Sequence, residues 1–410
     1  MEWKEVKMKD FCYNVADGTH DSPKRQDEGR YLITSKHIKG SSIDYENAYK
    51  ISEEDYQKII KRSRVDRWDV IISMIGAYCG FCYLEDSEVT EYAVKNVGLL
   101  KVGKKYESQW LYYFLNSPEG KAKLFSCRAG STQPYISLGT LRELSIKVPK
   151  EHHDLVSIVS ILSSLDRKIE LNNKINAQLE EMAQTLFKHW FVDFGPFKDG
   201  KFVESELGMI PEGWRVGTLD KICTVVGGST PSKARPDYYT ETGIAWLTPK
   251  DLSNSNAKFT SKGETDITEE GYKSTSTRLM PKGTVLFTSR APIGYLSIAK
   301  NEICTNQGFK SLVPDYAGTA FLYCYLKEMT PEIENKATGS TFKEASGSLI
   351  KSLSVIIPPK EVLDKFEALQ KSTFVRQESL EEENMNLASL RDTLLPKLMS
   401  GEIELNNLDK

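Results

Sequence analysis

Long apolar segments are missing from this 410-residue chain. The longest mainly apolar stretch lies around Val70 to Ala77, far shorter than the roughly 20 residues that a membrane-spanning helix needs. The N-terminal residues MEWKEVKMKDF show neither a signal-peptide nor a transit-peptide pattern. We therefore expect a cytoplasmic protein without a membrane partner.

Cysteine and histidine are also scarce. The seven cysteines are an odd number without the spacing of a disulfide framework, so we expect reduced thiols in a reducing compartment. Cys79 and Cys82 form one CxxC pair, but no second pair or nearby histidine completes a zinc site, and we expect this pair to be structural. The five histidines are scattered along the chain, so the sequence predicts neither a metal site nor a catalytic histidine set.

Motifs for catalysis on DNA are absent. An adenine methyltransferase should show a glycine-rich cofactor loop and an Asn/Asp-Pro-Pro-aromatic motif, and a translocase should show a P-loop; the sequence contains none of these. The Pro-Asp pairs at 236–237 and 314–315 are not followed by the acid and lysine of a nuclease site, so we interpret them as turns. We predict no catalytic residue and a protein that is not an enzyme.

The sequence does contain two long helical segments. From Leu155 to Trp190 apolar residues alternate at spacings of three and four, which is the seam of a helix lying against another long helix. An unbroken helix of roughly 38 residues would be about 57 Å long. Asn172 and Asn176 occupy successive seam positions and should fix the register, because a slipped pairing would bury their amides without partners. A second heptad pattern follows Pro358-Pro359, and the two helices are expected to pair antiparallel as a coiled coil.

The first helix ends in a dense group of aromatic residues, just before Gly195-Pro196. Two interpretations stay open: a local core against the neighbouring domain, and a docking surface for another subunit. Our prediction is the docking surface, extended to leucines at the end of the second helix. The candidate docking residues are Phe187, Trp190, Phe191, Phe194, Leu394, Leu395 and Leu398.

An internal repeat divides the rest of the chain. Landmarks of the first part recur in the same order about 210 residues later: ADGTHDSP with VGGSTPSK, KNVG with TNQG, GST with GST, and LRELSIKVPKE with IKSLSVIIPPKE. We predict an α+β protein with a pseudo-two-fold repeat, in which β-rich lobes at 1–150 and 211–360 alternate with helical segments at 151–210 and 361–410. Each lobe carries a net charge of +3, whereas the helical segments together carry −9.

Two similar lobes at the ends of paired helices could read two segments of one DNA duplex, as the two halves of a dimeric reader do. Loops that recur in both lobes supply side chains suited to base edges and phosphates. In this interpretation Gln133 would pair with adenine, Lys343 with guanine or phosphate, and Arg290 would be a bidentate guanine reader. The candidate DNA-binding residues are Thr19, His20, Lys36, His37, Gln133, Tyr135, Ser229, Thr230, Lys250, Arg290, Thr341 and Lys343.

Over essentially its whole length the chain resembles the specificity subunits of type I restriction-modification systems. The motifs that carry the resemblance are LDRKIELNNKINAQLEEMAQTLFKHWFVDFGPF from Leu165, LGMIPEGW from Leu207 and LRDTLLPKLMSGEIEL from Leu390. One departure is visible: the first lobe has Gly76-Ala77-Tyr78-Cys79-Gly80 where the family often has an arginine-containing segment like that around Arg290.

The resemblance implies a division of labour. Each lobe would be a target-recognition domain for one half of a bipartite, asymmetric DNA target. The helices would act as spacers and bind modification subunits, adenine-N6 methyltransferases, two in number. Restriction subunits would join through the complex. S-adenosylmethionine, ATP and Mg²⁺ would be held by these partners and no cofactor by this chain.

Two other classes remain as alternatives. The small surplus of positive charge on each lobe is compatible with a non-catalytic scaffold whose lobes bind proteins. The chain could also be the C-terminal recognition part of a fused nuclease-methylase, although the start at Met1 and the two-lobe symmetry lead us to expect otherwise. DNA binding that weakens steeply with salt would distinguish a DNA reader from a scaffold.

Overall fold

A computed structural model describes residues 1–255, 257–339 and 343–403. The chain divides into two compact units, and both long helices contribute to each of them. Unit 1 comprises Met1–Ile169 and Asn386–Lys410, and unit 2 comprises Glu170–Met385. Among the described helices, none combines the length and apolar character that crossing a bilayer requires.

Unit 1 combines three small sheets with helices. A four-stranded sheet has the order β2-β8-β5-β6, a three-stranded sheet the order β4-β3-β7, and β1 pairs with β9. The elements in chain order are β1 Trp3–Lys7, α1 Met8–Phe11, β2 Asn14–Asp17, β3 Arg30–Thr34, β4 Tyr49–Ile51, α2 Glu53–Ser63, β5 Val70–Ser73, β6 Cys82–Leu84, β7 Tyr92–Lys95, β8 Val97–Lys101, α3 Lys105–Asn116, α4 Pro118–Ser126, α5 Leu138–Glu143 and β9 Ser145–Pro149.

The core of unit 1 forms where the four-stranded sheet meets α3. All four residues of β5 are buried, as expected for a central strand with neighbours on both sides. Trp110 of α3 is fully buried and its indole nitrogen donates to the carbonyl of Lys147 at 3.0 Å. This burial of a tryptophan with its N–H satisfied anchors the helix to the β1-β9 pair.

Unit 2 begins within the first long helix, α6, which runs from His152 to Phe191. It ends within the second, α11, which runs from Lys360 to Ser400. Between them lie β10 Phe202–Ser205, β11 Gly208–Pro211, β12 Arg215–Thr218, β13 Cys223–Gly227, β14 Tyr239–Thr240, β15 Trp246–Leu247, α7 Pro249–Ser253, β16 Phe259–Thr260, β17 Asp266–Ile267, α8 Glu269–Lys273, β18 Val285–Ser289, β19 Ile293–Ala299, β20 Cys304–Thr305, β21 Lys310–Pro314, α9 Thr319–Lys336, α10 Gly347–Lys351 and β22 Ser354–Ile357.

The central sheet of unit 2 has five strands in the order β13-β21-β18-β19-β16. Its strand β18 pairs with β21 in the register in which β5 pairs with β8 in the four-stranded sheet of unit 1. Val285 of β18 lies opposite Leu312 of β21, as Val70 of β5 lies opposite Leu100 of β8. The internal repeat seen in the sequence is therefore also a repeat of strand pairing.

A second recurring feature is a strand that ends in a capped helical turn. In unit 1, β3 pairs parallel with β7, and Thr34 then forms a capping box with His37. In unit 2, β15 pairs parallel with β20, and Thr248 forms a capping box with Asp251. The cap satisfies backbone N–H groups at the first turn and fixes where the next loop begins.

A third equivalence follows from backbone hydrogen bonds after the central strands. In unit 1 the amide of Ile136 donates to the carbonyl of Met74, and in unit 2 the amide of Ala345 donates to the carbonyl of Ser289, each at 2.9 Å. Both units thus bring the segment after the glycine-containing GST tract against the end of the central strand.

Within unit 2 the two long helices run antiparallel. Asn172 is fully buried, and its amide nitrogen donates to Glu383 and to Asn384, each at 2.9 Å. Further along, the amide of Gln377 donates to the carbonyl of Asn176 at 3.3 Å. The side-chain amide of Asn172 thus links the facing helices, as expected for a residue that fixes register, whereas the contact at Asn176 uses its backbone carbonyl.

The predicted docking surface at the end of α6 is wrong for its two most buried members. Phe187 and Phe191 belong to the main core of unit 2, with 3% and 6% of their surface exposed. The ring of Phe191 lies 4.9 Å from that of Phe321 on α9 and 4.9 Å from that of Phe366 on α11. Because the lobe and both helices bury these rings, the local-core interpretation applies to them. Trp190 and Phe194 pack against the same core and are half-buried.

The leucines near the end of α11 have a similar role in unit 1. Leu395 and Leu398 are buried in its core, and Leu394 packs against that core. The neighbouring Arg391 donates to Asp166 of α6 at 2.7 Å. These leucines therefore join α11 to unit 1, and the prediction that Leu395 and Leu398 present a docking surface is wrong because they are already covered.

A buried lysine links the lobe of unit 2 to both long helices. Lys258 is 6% exposed, and its ammonium group donates to Glu180 of α6 at 2.8 Å and to Gln377 of α11 at 2.9 Å. It also lies 3.5 Å from the centre of the Phe374 ring. The backbone amide of Lys258 donates to Glu381 at 2.7 Å. This charged cluster ties β16 to the helices.

Candidate nucleic-acid interface

Several loops of unit 2 meet around a concavity of about 470 Å³. They come from the segments after β13, β15, β18 and β20, which are brought together by the parallel pairing of β15 with β20 and by the central sheet. Lys250 and Arg290, both candidates from the sequence, lie in its wall. The other lining residues are Lys233, Trp246, Thr248, Pro249, Asp251, Glu264, Thr265, Ala291, Asn306 and Gly308.

Ser229 and Thr230 lie beside this concavity. The amide of Ser229 donates to the carbonyl of Thr305 at 2.9 Å, and the Ser229 carbonyl accepts from the indole nitrogen of Trp246 at 3.1 Å. The Thr230 hydroxyl donates to Gln307. These bonds fix the loop backbone, so the two small polar side chains are presented from a rigid support.

Gly228 explains why this loop has a glycine. A Cβ atom there would lie 2.1 Å from the carbonyl oxygen of Thr305 and 2.2 Å from that of Asn306. Only a residue without a side chain allows this close approach of two backbone segments.

Lys250 lies on the short helix α7 and is exposed. Its ammonium group contacts Glu264 at 2.8 Å, and this hydrogen bond raises the pKa of Lys250. Both carboxylate oxygens of Asp251 accept hydrogen bonds from the backbone, one from the Thr248 amide at 2.7 Å and the other from the Glu264 amide at 2.7 Å. Asp251 is thus tied into the fold, whereas the side chain of Lys250 faces solvent and could reach a phosphate.

Arg290 follows β18 and precedes Ala291, whose φ of 55° lies in the left-handed region, and a cis Ala291-Pro292 bond. A non-glycine residue with positive φ is uncommon and holds the chain in a sharp bend. The guanidinium of Arg290 is partly exposed, and its Nη1 lies 3.3 Å from Glu344. Arg290 is therefore directed by a carboxylate at the rim of the concavity.

In unit 1 the loop after β2 carries His20, which is exposed and forms hydrogen bonds through both ring nitrogens. Nε2 lies 2.8 Å from Asp17 and Nδ1 lies 3.1 Å from Asn96. Lys36, on the capped turn after β3, is exposed. Lys95, which the sequence reasoning did not select, reaches Ser22 at 2.5 Å in the same region. His20, Lys36 and Lys95 form the polar side of the unit 1 loops.

Two unit 1 candidates are contradicted by burial. His37 is fully buried, and its Nδ1 accepts from the Thr34 amide at 3.0 Å. Burial lowers the pKa of His37 and so favours its neutral form. Thr19 is 8% exposed, and its hydroxyl accepts from the Asp21 amide at 3.1 Å. Both side chains complete local turns and are not available to DNA bases.

The GST tract of unit 1 carries Gln133 and Tyr135, both exposed. Tyr135 forms bridges with Ala129 and Ile75, which place the tract beside the loop that starts at Gly76. Of the unit 2 tract the structure describes Gly339 and the residues from Lys343 onward. The ammonium group of Lys343 donates to the carbonyl of Glu334 at 3.4 Å. Thr341 lies outside the described residues.

Lys310 and Glu344 were missed by the sequence reasoning. The ammonium group of Lys310 lies 3.3 Å from Glu344, which in turn contacts Arg290. The only sequence signals are a charge at the start of a strand-like run and an acid after GSTFK. Neither signal shows that side chains 21 to 54 positions apart meet.

Comparisons with known proteins identify the family of the chain. A family model described as "Type I restriction modification DNA specificity domain" matches residues 1–181 and again residues 211–387. A specificity subunit of the type I restriction enzyme MjaIX from Methanocaldococcus jannaschii is 44% identical over 169 residues, which is 40% of this chain and 39% of that protein. The HindI specificity subunit from Haemophilus influenzae is 26% identical over 407 residues, covering 83% of this chain and 88% of that one.

A solved structure shares the fold. The crystal structure of an S subunit of a type I restriction-modification system from M. genitalium aligns with a TM-score of 0.57 at 16% identity, covering 97% of this chain and 96% of that one. Together the two matched segments of the family model cover most of the sequence. The chain therefore belongs to the family of the type I restriction-modification DNA specificity domain and carries two copies of that domain.

Proposed function

We propose that this chain selects the DNA sequence at which a type I restriction-modification complex acts, and that each lobe reads one half of a bipartite, asymmetric target. The observation that carries the proposal is the repeated construction of the loops. In each unit a capped turn after a parallel strand, the end of the central strand and the segment after the GST tract lie together. Rigid loops with exposed polar side chains are what direct reading of base edges requires.

The two units differ in the chemistry of these loops. Unit 2 presents Arg290 and Lys250, whereas unit 1 presents His20, Lys36 and Gln133. Arginine pairs best with guanine, and glutamine with adenine. The two halves of the target should therefore differ in sequence, which accounts for an asymmetric site read by one chain.

The long helices would act as the spacer between the half-sites, in the manner of an antiparallel coiled coil, and would dock two adenine-N6 methyltransferase subunits. Since Phe187 and Phe191 are buried, the docking face must be formed by other residues. Five of the described apolar side chains on the unit 2 portions of α6 and α11 are more than half exposed and support this role. They are Leu171, Met182, Leu369, Val375 and Met385.

The chemistry would come from the partners. The modification subunits would bind S-adenosylmethionine, and the restriction subunits would use ATP and Mg²⁺ to translocate and cut DNA. This chain would contribute no catalytic residue and no cofactor, and it would act in the cytoplasm.

The direct test is the methylome of a methylation-deficient bacterial host that expresses the cognate modification subunit with or without this chain. We expect a split motif with N6-methyladenine in both halves only when the chain is present. The absence of any motif, in cells where the assembled complex can be purified, would instead support the protein-binding scaffold.

A further inference from the structure

The guanidinium of Arg290 belongs to a triad of charged side chains in unit 2, which consists of Arg290, Glu344 and Lys310. Nη1 of Arg290 lies 3.3 Å from one carboxylate oxygen of Glu344, and the other oxygen lies 3.3 Å from the ammonium group of Lys310. Lys310 is also 3.3 Å from the hydroxyl of Ser289, the residue that precedes Arg290. The side chain of Lys310 is 16% exposed, whereas those of Arg290 and Glu344 are each 37% exposed.

The backbone of this triad is held independently of the charges. The amide of Ala345 donates to the carbonyl of Ser289 at 2.9 Å, and the amide of Ser289 donates to the carbonyl of Gly308 at 2.7 Å. Consequently, the side chains of Glu344 and Arg290 start from fixed, neighbouring points. A substitution of Glu344 should change the aim of Arg290 without removing the backbone bonds that shape the loops.

Unit 1 shows what the same backbone looks like without the triad. By the equivalent backbone hydrogen bonds, Ile75 stands where unit 2 has Arg290, and Tyr135 stands where unit 2 has Glu344. Ile75 and Tyr135 form a backbone bridge, so the two positions are adjacent in unit 1 as well. The arginine and its carboxylate are therefore absent from unit 1 as a pair.

The lysine is absent too. The strand registers place Leu100 of unit 1 at the position of Leu312 in unit 2. Gly98 therefore occupies the position of Lys310, and not that of Gly308 as the KNVG and TNQG landmarks of the sequence repeat indicated. A Cβ at Gly98 would lie 2.7 Å from the side chain of Ile72, which leaves no room for a lysine. All three charges of unit 2 thus have uncharged counterparts in unit 1, although the fold around them recurs.

We propose that Glu344, neutralised by Lys310, is a positioning residue that aims Arg290 at a guanine in the half-site read by unit 2. Arginine reads guanine through two donors in a fixed plane, so its value depends on orientation. Among the described residues, Nη1 is the only guanidinium nitrogen of Arg290 with an acceptor, which leaves Nη2 and Nε for a base edge. The inference rests on the function proposed above and adds the residue that sets specificity.

The lysine explains how a carboxylate can stay next to DNA. A lone glutamate at the rim would repel phosphates and would compete with DNA for Arg290. With Lys310 at its other oxygen, the triad keeps a net charge of +1, and Glu344 can hold the guanidinium while DNA is bound. The alternative, in which Glu344 only competes with DNA, makes a different prediction and is tested by the same variant.

The test is the methylome of cells that express the full chain with its modification subunit, comparing wild type with Glu344→Gln. We expect the preference for guanine at one position of the second half-site to fall about tenfold, toward the lower end of what a bidentate arginine pair supplies. The first half-site should be unchanged and reports that the complex assembles. Arg290→Lys should relax the same position, because an ammonium group lacks the planar, fixed pair of donors that a guanidinium presents.

Glu302→Gln is the matched control, since it removes the same charge from an exposed position of unit 2 and should leave the motif intact. An unchanged motif in Glu344→Gln would overturn the inference, and so would stronger methylation of an unchanged motif, which would identify Glu344 as a competitor. If Glu344→Gln does not assemble, Glu344→Asp keeps the charge but shortens the reach, and the same position should relax. A wild-type complex without any split motif would instead refute the proposed function.

Discussion

Replacing Lys258 with methionine should destabilise unit 2 and leave unit 1 intact. The ammonium group is buried between Glu180 and Gln377, at 2.8 Å and 2.9 Å, and lies over the ring of Phe374. Removing one member of a buried ion pair typically costs about 3–5 kcal/mol, because the remaining charge is left uncompensated. Here Lys327 also contacts Glu180, at 2.5 Å, so we expect a smaller loss of about 2–4 kcal/mol.

The measurement is native-state hydrogen exchange of the whole chain, which reports opening free energies unit by unit. Exchange should accelerate in β16 and in the adjoining portions of α6 and α11, and remain unchanged in the sheets of unit 1. Lys262→Met is the matched control, because Lys262 is exposed four residues further along the chain. The double variant with Glu180→Gln should recover part of the loss, since it neutralises the stranded carboxylate.

Two results would refute this reasoning. If Lys258→Met opened no more easily than Lys262→Met, the cluster would not contribute to stability. If Glu180→Gln added its full cost to that of Lys258→Met, the two side chains would act independently, contrary to a coupled ion pair.

Four further predictions concern stability, the loop backbone and docking. Burial alone would raise the pKa of Glu180, but Lys258 and Lys327 hold it at about 2, below the ordinary 4.5. The contribution of Glu180 to stability should therefore be complete above pH 4.5 and lost as the pH falls toward 2. In an acid titration, Glu180→Gln should lose less stability than the wild type does. Phe191→Ala should cost about 3–5 kcal/mol in urea unfolding of unit 2, whereas a docking role alone would weaken only assembly. Gly228→Ala should abolish specific methylation, whereas size-exclusion chromatography should show the modification subunit still bound. Met182→Glu should weaken assembly with the modification subunit and leave the midpoint of urea unfolding unchanged.

Local patterns predicted much of the fold. The helical pattern from Leu155 to Trp190 lies within α6, and the heptad pattern after Pro358-Pro359 corresponds to α11, which begins at Lys360. The apolar stretch noted around Val70 to Ala77 contains β5, all of it buried. These features depend on neighbours along the chain, so a single sequence is enough to show them.

The contacts of the candidate site depend on distant neighbours and were predicted less well. The aromatic residues of α6 looked like a docking surface because one helical seam cannot bury them all, but α9 supplies the missing surface through Phe321. His37 looked like a polar loop residue, yet it serves as the acceptor that caps its own turn. Glu344, which contacts Arg290, lies 54 positions away along the chain, and Lys310, which contacts Glu344, lies 20 positions away from Arg290, so no local pattern could reveal them.

The claim that each lobe reads one half-site is tested most directly by exchanging residues 1–150 for the equivalent lobe of another type I specificity subunit and sequencing the resulting methylome. The account predicts a split motif in which one half is new, the other half is that of the wild-type chain, and the spacing is unchanged because both long helices are retained. A motif altered in both halves would contradict it, and so would a motif that stayed the same in an assembled complex.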